Sequence, residues 1–269
     1  MGIDTDVQHQ IFGIKIDDLS NETLEKRLLG WLKGNRPNAI FTPNPEFFLA
    51  ARHHPEFAAV LNHADLSLPD GTGLRFAVAA LTENSLVHRQ TGIDTLVLLA
   101  RLCTENKKTL LLLGGADNAA ELAGNSLTHR FPELIVQAVN PGFVSSSIST
   151  ELVSEINSMA PDVIAVALGA EKQERFILQL KEKIPSLKIA IGVGGAFDTL
   201  SGKKPRAPLW MRRMGLEWVW RVVIEPRRFK RIINATIIFP ILVISDTLKH
   251  RRFLRALPRV LREIVKQFT

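Results

Sequence analysis

In the stretch LSLPDGTG, residues 66–73, an aspartate followed at once by glycines stands where a short apolar run ends and an apolar helical pattern begins. Asp70 has two uses open to it. Its carboxylate can cap the helix, accepting from N–H groups two or three residues on. Facing a bound substrate, it can instead take a proton from an attacking hydroxyl as a general base. Four other turns place polar residues or glycines after an apolar run: Thr42-Pro43-Asn44-Pro45-Glu46, Gly114-Gly115-Ala116-Asp117, Gly169-Ala170-Glu171-Lys172-Gln173 and Gly192-Val193-Gly194-Gly195. Glycines let a backbone approach a phosphate, and helix starts offer unpaired N–H groups and a positive dipole end. Such turns suit a nucleotide if one rim gathers them. GGADNAA after KTLLLL matches neither GxGxxG nor GxxxxGK[ST], so hydride transfer and ATP hydrolysis lose their usual sequence support.

The elements around these turns would gather them. Apolar runs (FGIKI, AIFTPN, KTLLLLGG, LIVQAVN, DVIAVALG, LKIAIGVGG) alternate with helical patterns (SNETLEKRLLGWLKG, PEFFLAARHHPEFAAVLNHA, ADNAAELAGNSLTHRF, ISTELVSEINSMA, EKQERFILQLKEKI). Continuous apolar strands separated by helices predict a doubly wound, mostly parallel α/β sheet of the Rossmann-like kind over residues 1–202. In such a fold ligands sit outside the carboxyl ends of the strands, where the five turns fall.

Charge separates this domain from the remainder of the chain. Residues 203–269 hold 17 Lys and Arg against four acids, a balance of +13, and the other 202 residues carry −6 of the total of +7. A basic helical appendage over residues 203–269 predicts a polyanionic partner, either nucleic acid or an anionic membrane surface. The single cysteine, Cys103, allows no intrachain disulfide and reads as a protein of a reducing compartment, with the cytoplasm as the default. The N-terminus MGIDTDVQHQIFGIKI lacks the basic start and apolar core of a signal peptide, and no run of 18 uninterrupted apolar residues predicts a membrane span.

Five separated motifs in order, TPNPE (42–46), PDGTG (69–73), TGID (91–94), LGAEKQE (168–174) and GVGGAFDTLSGKKPRAPLWMRRMGLEWVWRVVIEPRRFKR (192–231), resemble the WecG/TagA/CpsF glycosyltransferase family. The resemblance implies an inverting, metal-independent enzyme of cell-surface polysaccharide or teichoic acid assembly. It would move a sugar, often N-acetylmannosamine or its uronic acid, from a UDP-sugar to a sugar on a polyprenyl diphosphate. The UDP-sugar is a substrate, and no cofactor is implied. By resemblance, Asp70 matches the base, Thr42 lines the site, Asn44 contacts the donor and Gln173 lies near the reacting sugar. The turns with Gly71, Gly114, Gly115, Gly169, Gly194 and Gly195 would hold UDP. Arg221 and its neighbours Arg206, Arg212, Arg213, Arg227, Arg228 and Arg231 would meet the diphosphates of donor and acceptor. Many family members have GxPKQE where this chain reads GAEKQE, with Glu171 in place of proline.

The residue types agree with this chemistry. An inverting transfer needs a base for the acceptor and positive charge for the departing diphosphate, which arginine supplies bidentately. Apart from Asp4-Thr5-Asp6 at the N-terminus, away from the five turns, no DxD pair occurs, and adjacent His53 and His54 point to different faces of a helix, so no metal site is expected. Asp94 partners Thr91 in a capping box or contacts the donor; Lys172 attracts diphosphate or simply opens a helix. Trp210, Trp218 and Trp220 beside arginines suit a bilayer headgroup zone. The run RIINATIIFPILVIS, too short to span by its own length, lies between basic segments, as in a helix resting in an anionic interface on the inner face of the membrane. A helical pair packed on the domain or on a second subunit is the structural alternative, so a homo-oligomer stays open. Nucleic-acid binding would leave the five turns unused, and a non-catalytic nucleotide module would use them without Asp70.

Overall fold

The computed structural model describes residues 7–142, 147–203, 205, 207–214, 216–224 and 229–268. Arg206, Arg227 and Arg228 lie outside the described residues, as do the side chains of Arg212, Arg213, Trp218 and Arg221.

The chain begins with a hairpin, β1 (Val7–Ile11) and β2 (Ile14–Asp18), paired antiparallel. By its composition FGIKI is expected as a strand of the parallel sheet; it forms instead the turn and second strand of this separate ribbon. The cause is local: Phe12 and Gly13 both have positive φ (48° and 79°), the two-residue turn whose twist closes a hairpin. Next come α1 (Asn21–Lys33), β3 (Asn38–Phe41), α2 (Pro45–His53), α3 (Pro55–Asn62) and β4 (Leu66–Ser67). The helix expected over residues 45–64 is two helices, because Pro55 takes His54 out of the helical region, to φ −125°, ψ 83°.

Two helices follow, α4 (Thr72–Leu81) and α5 (Gly92–Glu105), and then the alternation is regular: β5 (Thr109–Gly114), α6 (Ala119–Arg130), β6 (Ile135–Val139), α7 (Thr150–Met159), β7 (Val163–Ala167), α8 (Lys172–Lys183), β8 (Ile189–Gly192) and α9 (Ala196–Leu200). Six strands form one parallel sheet in the order β4-β3-β8-β7-β5-β6. Strands β3, β7 and β8 are buried along their whole length, so apolar side chains leave on both faces and two clusters form, one on each side. Each large aliphatic residue so buried contributes about 1.5–3 kcal/mol. This is the doubly wound α/β fold that the alternation predicts.

The hairpin braces the loop before α5. Asp18 accepts from the backbone N–H groups of Val87 and His88 at 2.7 and 2.8 Å, and Asp17 accepts from Ser67 N at 2.7 Å. Burial raises the pKa of Asp18, but the neighbouring His9 ring, 3.7 Å away, and the backbone hydrogen bonds from Val87 and His88 outweigh it and hold the carboxyl below its ordinary value.

Beyond the sheet lie α10 (Leu209–Arg213), α11 (Glu217–Ile224), α12 (Phe229–Ile233), a π turn (Asn234–Ile238), α13 (Phe239–Lys249) and α14 (Phe253–Phe268). The segment Phe229–Lys249 is one helical rod, long and apolar enough by length and composition to cross a membrane. Counting only the 15-residue apolar run misses this, because flanking residues lengthen the helix at both ends. One face of the rod is nevertheless packed on protein: Phe239 is buried, 5.7 Å from the Phe48 ring, and Val243 and Thr247 are buried too. Helix α14 packs on α4, where Arg75 binds the fully buried Glu263 at 2.7 Å and Arg259 donates to the Ala79 carbonyl.

Candidate active site

A cavity of about 420 Å³ opens at the carboxyl ends of the strands, within the range typical of small-molecule sites. Five turns line it, after β3 (Thr42, Asn44), β4 (Asp70, Gly71), β5 (Gly115), β7 (Gly169, Gln173) and β8 (Gly194, Gly195). The rod closes one wall with Arg231, Ile232, Ala235 and Thr236.

Asp70 is fixed by its backbone, whose N–H donates to the Pro43 carbonyl at 2.9 Å and ties the β4 turn to the β3 turn. The N-cap of α4 is Gly71, not Asp70, and no side chain caps the helix. Gly71 has φ 97°, a conformation that favours glycine, and it lets the chain reverse immediately after the acid. Asp70 thus stands one residue before the N-cap and lines the cavity.

Thr42 is buried and donates through Oγ1 to the Gly192 carbonyl at 2.8 Å, bridging the β3 and β8 turns. Asn44 caps α2: its Oδ1 accepts from Glu46 N at 2.9 Å, with Pro45 next in the helix. The Nδ2 donors and the second lone pair of Oδ1 remain for a ligand. Gln173 Oε1 accepts from Gly194 N at 3.1 Å and Nε2 donates to Glu174 Oε1 at 2.7 Å, so Gln173 joins the β7 and β8 turns.

Three expected donor contacts lie off the cavity. Asp94 is exposed on α5, where Thr91 Oγ1 accepts from its N–H at 3.2 Å and donates to its Oδ2 at 2.7 Å, the reciprocal cap. Lys172 is exposed at the start of α8. Gly114 is packed beneath the rim, where an added Cβ would come 2.8 Å from Leu168 Cδ2. Arg231 does reach the cavity, but it makes a bidentate pair with Glu46 (2.6–3.0 Å), which joins the rod to α2.

Sequence reasoning missed several lining residues. Arg89 brings a cation to the rim two residues before Thr91, and Asp198 brings an acid from α9. Ala235 and Thr236 arrive on the π turn, an irregularity that often accompanies function. Its only signal in sequence is the small and polar Asn-Ala-Thr interrupting an apolar run.

Similarity to known proteins runs across this whole region. The sequence profile described as "Glycosyl transferase WecG/TagA/CpsF family" matches residues 9–253. A Bacillus subtilis (strain 168) N-acetylglucosaminyldiphosphoundecaprenol N-acetyl-beta-D-mannosaminyltransferase is 33% identical over 195 residues, covering 72% of this chain and 75% of its own. The protein of the same name from Bacillus spizizenii (strain ATCC 23059 / NRRL B-14472 / W23) is 32% identical over 222 residues, covering 82% and 83%. That of Staphylococcus aureus (strain MRSA252) is 29% identical over 224 residues, covering 82% and 87%. The profile match takes in every turn of the cavity and the rod that closes it, so this chain belongs to the WecG/TagA/CpsF family of glycosyltransferases and is a hexosyltransferase.

Proposed function

We propose that the protein transfers N-acetylmannosamine, or a close relative, from a UDP-sugar to N-acetylglucosamine on a polyprenyl diphosphate, with inversion and without a metal, for cell-surface polymer or teichoic acid synthesis. The observation that carries this reading is the meeting of Asp70, Thr42, Gln173 and Arg231 in one cavity. Asp70 takes the proton of the acceptor hydroxyl as its oxygen attacks the anomeric carbon, and the bond from that carbon to the UDP oxygen breaks on the opposite face. The leaving diphosphate gains negative charge. Arg231 and Arg89, both on the wall, supply positive charge there. Helix starts at the glycine turns add N–H groups for the donor's phosphates.

The acceptor's lipid tail requires work at a bilayer. The exposed apolar residues of the rod and α14, among them Ile241, Ile244, Leu254 and Leu261, support a peripheral site on the inner face of the membrane. Apolar exposure of this kind also favours lipid over nucleic acid as the partner of the basic appendage.

UDP release from a panel of UDP-sugars, with and without a polyprenyl-diphosphate N-acetylglucosamine acceptor and in EDTA, tests the reading. Acceptor-dependent release persists in EDTA, and Asp70→Asn lowers it by about 10²–10⁴-fold while UDP binding is kept. Full activity in Asp70→Asn, or release that EDTA abolishes, overturns it. UDP binding without transfer under any condition would leave a nucleotide-binding module.

A further inference from the structure

Glu174 follows Gln173 into α8 and has no exposure to solvent. Its Oε1 accepts from Gln173 Nε2, and its Oε2 is buried without a hydrogen-bond partner among the described residues. Buried carboxyl oxygens are normally paired, so an orphan beside a lining residue calls for a cause. The Gln173 amide has only one orientation here. Gly194 N–H can only donate, so the carbonyl end of Gln173 must face it and the amino end must face Glu174. With the carbonyl turned to Gly194 and one N–H given to Glu174, the second N–H is the one donor this amide has left for the cavity.

The strand end is shaped around the pair. At Gly192 an added Cβ would lie 2.8 Å from Gln173 Nε2 and 3.1 Å from Glu174 Oε1, so any side chain there would displace the Gln173 amide. From the other side, Thr42 holds the Gly192 carbonyl. The β8 turn is thus gripped by Thr42 and by the Glu174–Gln173 couple.

We propose that Glu174 is a positioning residue for the transfer: through the Gln173 amide it fixes the Gly192–Gly195 turn and commits Gln173 to meet the substrate as a hydrogen-bond donor. The matching substrate group is an oxygen acceptor, a hydroxyl, carbonyl or phosphate oxygen of the donor or acceptor sugar. This rests on the transferase reading above. The carboxyl works as a neutral acid at pH 7. Burial pushes its pKa up to about 8; the hydrogen bond from Gln173 and the nearby backbone of Glu174 and Glu171 oppose the rise, and the Glu171 charge adds to it. Strands β3, β7 and β8, which pack against α8, carry no ionisable side chain, and the one on α3, Glu56, faces His54 and Arg175 at 3.5 Å each.

The experiment compares Glu174→Leu and Glu174→Gln with wild type in the lipid-acceptor assay, with melting curves and hydrogen exchange of the backbone around Gly194. Leucine keeps the volume but offers no acceptor. Glu174→Leu melts at or above the wild-type temperature, its kcat falls by about 10- to 100-fold, and exchange at Gly194 quickens. Glu174→Gln restores most of the rate, since its carbonyl still receives Gln173. It also lacks the decline in rate that wild type shows as pH rises through about 8. A leucine variant with wild-type kcat and unchanged exchange at Gly194 overturns the proposal, as does a glutamine variant with the same alkaline decline. If wild type turns over no donor at all, the transferase reading has failed; exchange at Gly194 then decides the positioning role alone.

Discussion

One backbone angle at the rim bears on the departure from the GxPKQE pattern that the family resemblance leads one to expect. Glu171, at the position of that pattern's proline, has φ 68° and ψ −47°. Proline is locked near −65°, so a GxPKQE loop cannot take this path and must enter α8 differently. For an L-residue such a conformation is strained by about 1–3 kcal/mol, and strain of this kind gathers at functional sites because surrounding contacts enforce it. Here the enforcing contacts include Gln173 N to the Gly169 carbonyl at 3.0 Å and Gln173 Oε1 to Gly194 N. Glu171→Gly should therefore stabilise the protein by about 1 kcal/mol while leaving transfer intact, read from denaturant midpoints and UDP release. Glu171→Pro should lower kcat by about tenfold or more, since Gln173 is the residue two positions on whose placement the new φ disturbs. A proline variant with wild-type kcat would show that the α8 entry tolerates either path. Asp70 makes the complementary point: its carboxylate can be read as a cap or a base from sequence, and its place on the cavity wall, one residue before the N-cap Gly71, depends on how the β3 and β4 turns meet.

At the level of elements, the sequence is informative wherever one element decides its own form. Apolar runs such as LLLL (110–113) and VIAVA (163–167) are buried along their length, and continuous burial leaves no polar face to misread. The hairpin is misread because FGIKI has a strand's composition whichever partner it takes, and its partner is set by a turn that two positive φ angles close. Likewise, nothing local reveals that the π turn lines the cavity, or that Glu174 is sealed beneath Gln173, since both depend on contacts between segments distant in sequence. Helix ends offer a cleaner test. Helix α7 stops at Ala160, an exposed residue in the left-handed conformation (φ 46°, ψ 52°) that glycine occupies without strain. Ala160→Gly should raise stability by about 1 kcal/mol with no change in kcat, as α7 lies away from the cavity wall. A lower denaturant midpoint for this variant would mean that the added freedom of glycine in the unfolded chain outweighs the strain removed.

Seen as a whole molecule, the protein uses one appendage both to close the cavity and to expose apolar surface. The rod supplies Arg231, Ala235 and Thr236 to the cavity on one side, while Ile237, Ile241, Ile244 and Leu248 stay exposed on another. Helix α14 repeats the arrangement: Glu263 is buried against Arg75 of α4, and Leu254, Leu257, Leu261 and Val265 remain exposed beside Arg255, Arg262 and Lys266. Helix α4 starts two residues after Asp70, so a surface that receives α14 also bears on the turn holding the proposed base. A lipid-diphosphate acceptor would then be met at the level where the lipid lies. On this reading the purified protein sediments with vesicles containing anionic phospholipid, and less with neutral ones or at high salt, since each basic side chain near the surface contributes about 1 kcal/mol. Replacing Leu254 and Leu261 together by glutamate removes about 3 kcal/mol of apolar burial in the interface, roughly a 100-fold loss of vesicle partition. Transfer to a water-soluble acceptor with a shortened lipid should survive that change, because neither leucine lines the cavity. Alkaline carbonate should strip wild type from the vesicles, because Phe239, Val243 and Thr247 keep one face of the rod on the domain. Resistance to carbonate would mean instead that Phe229–Lys249 leaves the domain and inserts, a change that would also remove Arg231 from the wall it shares with Glu46.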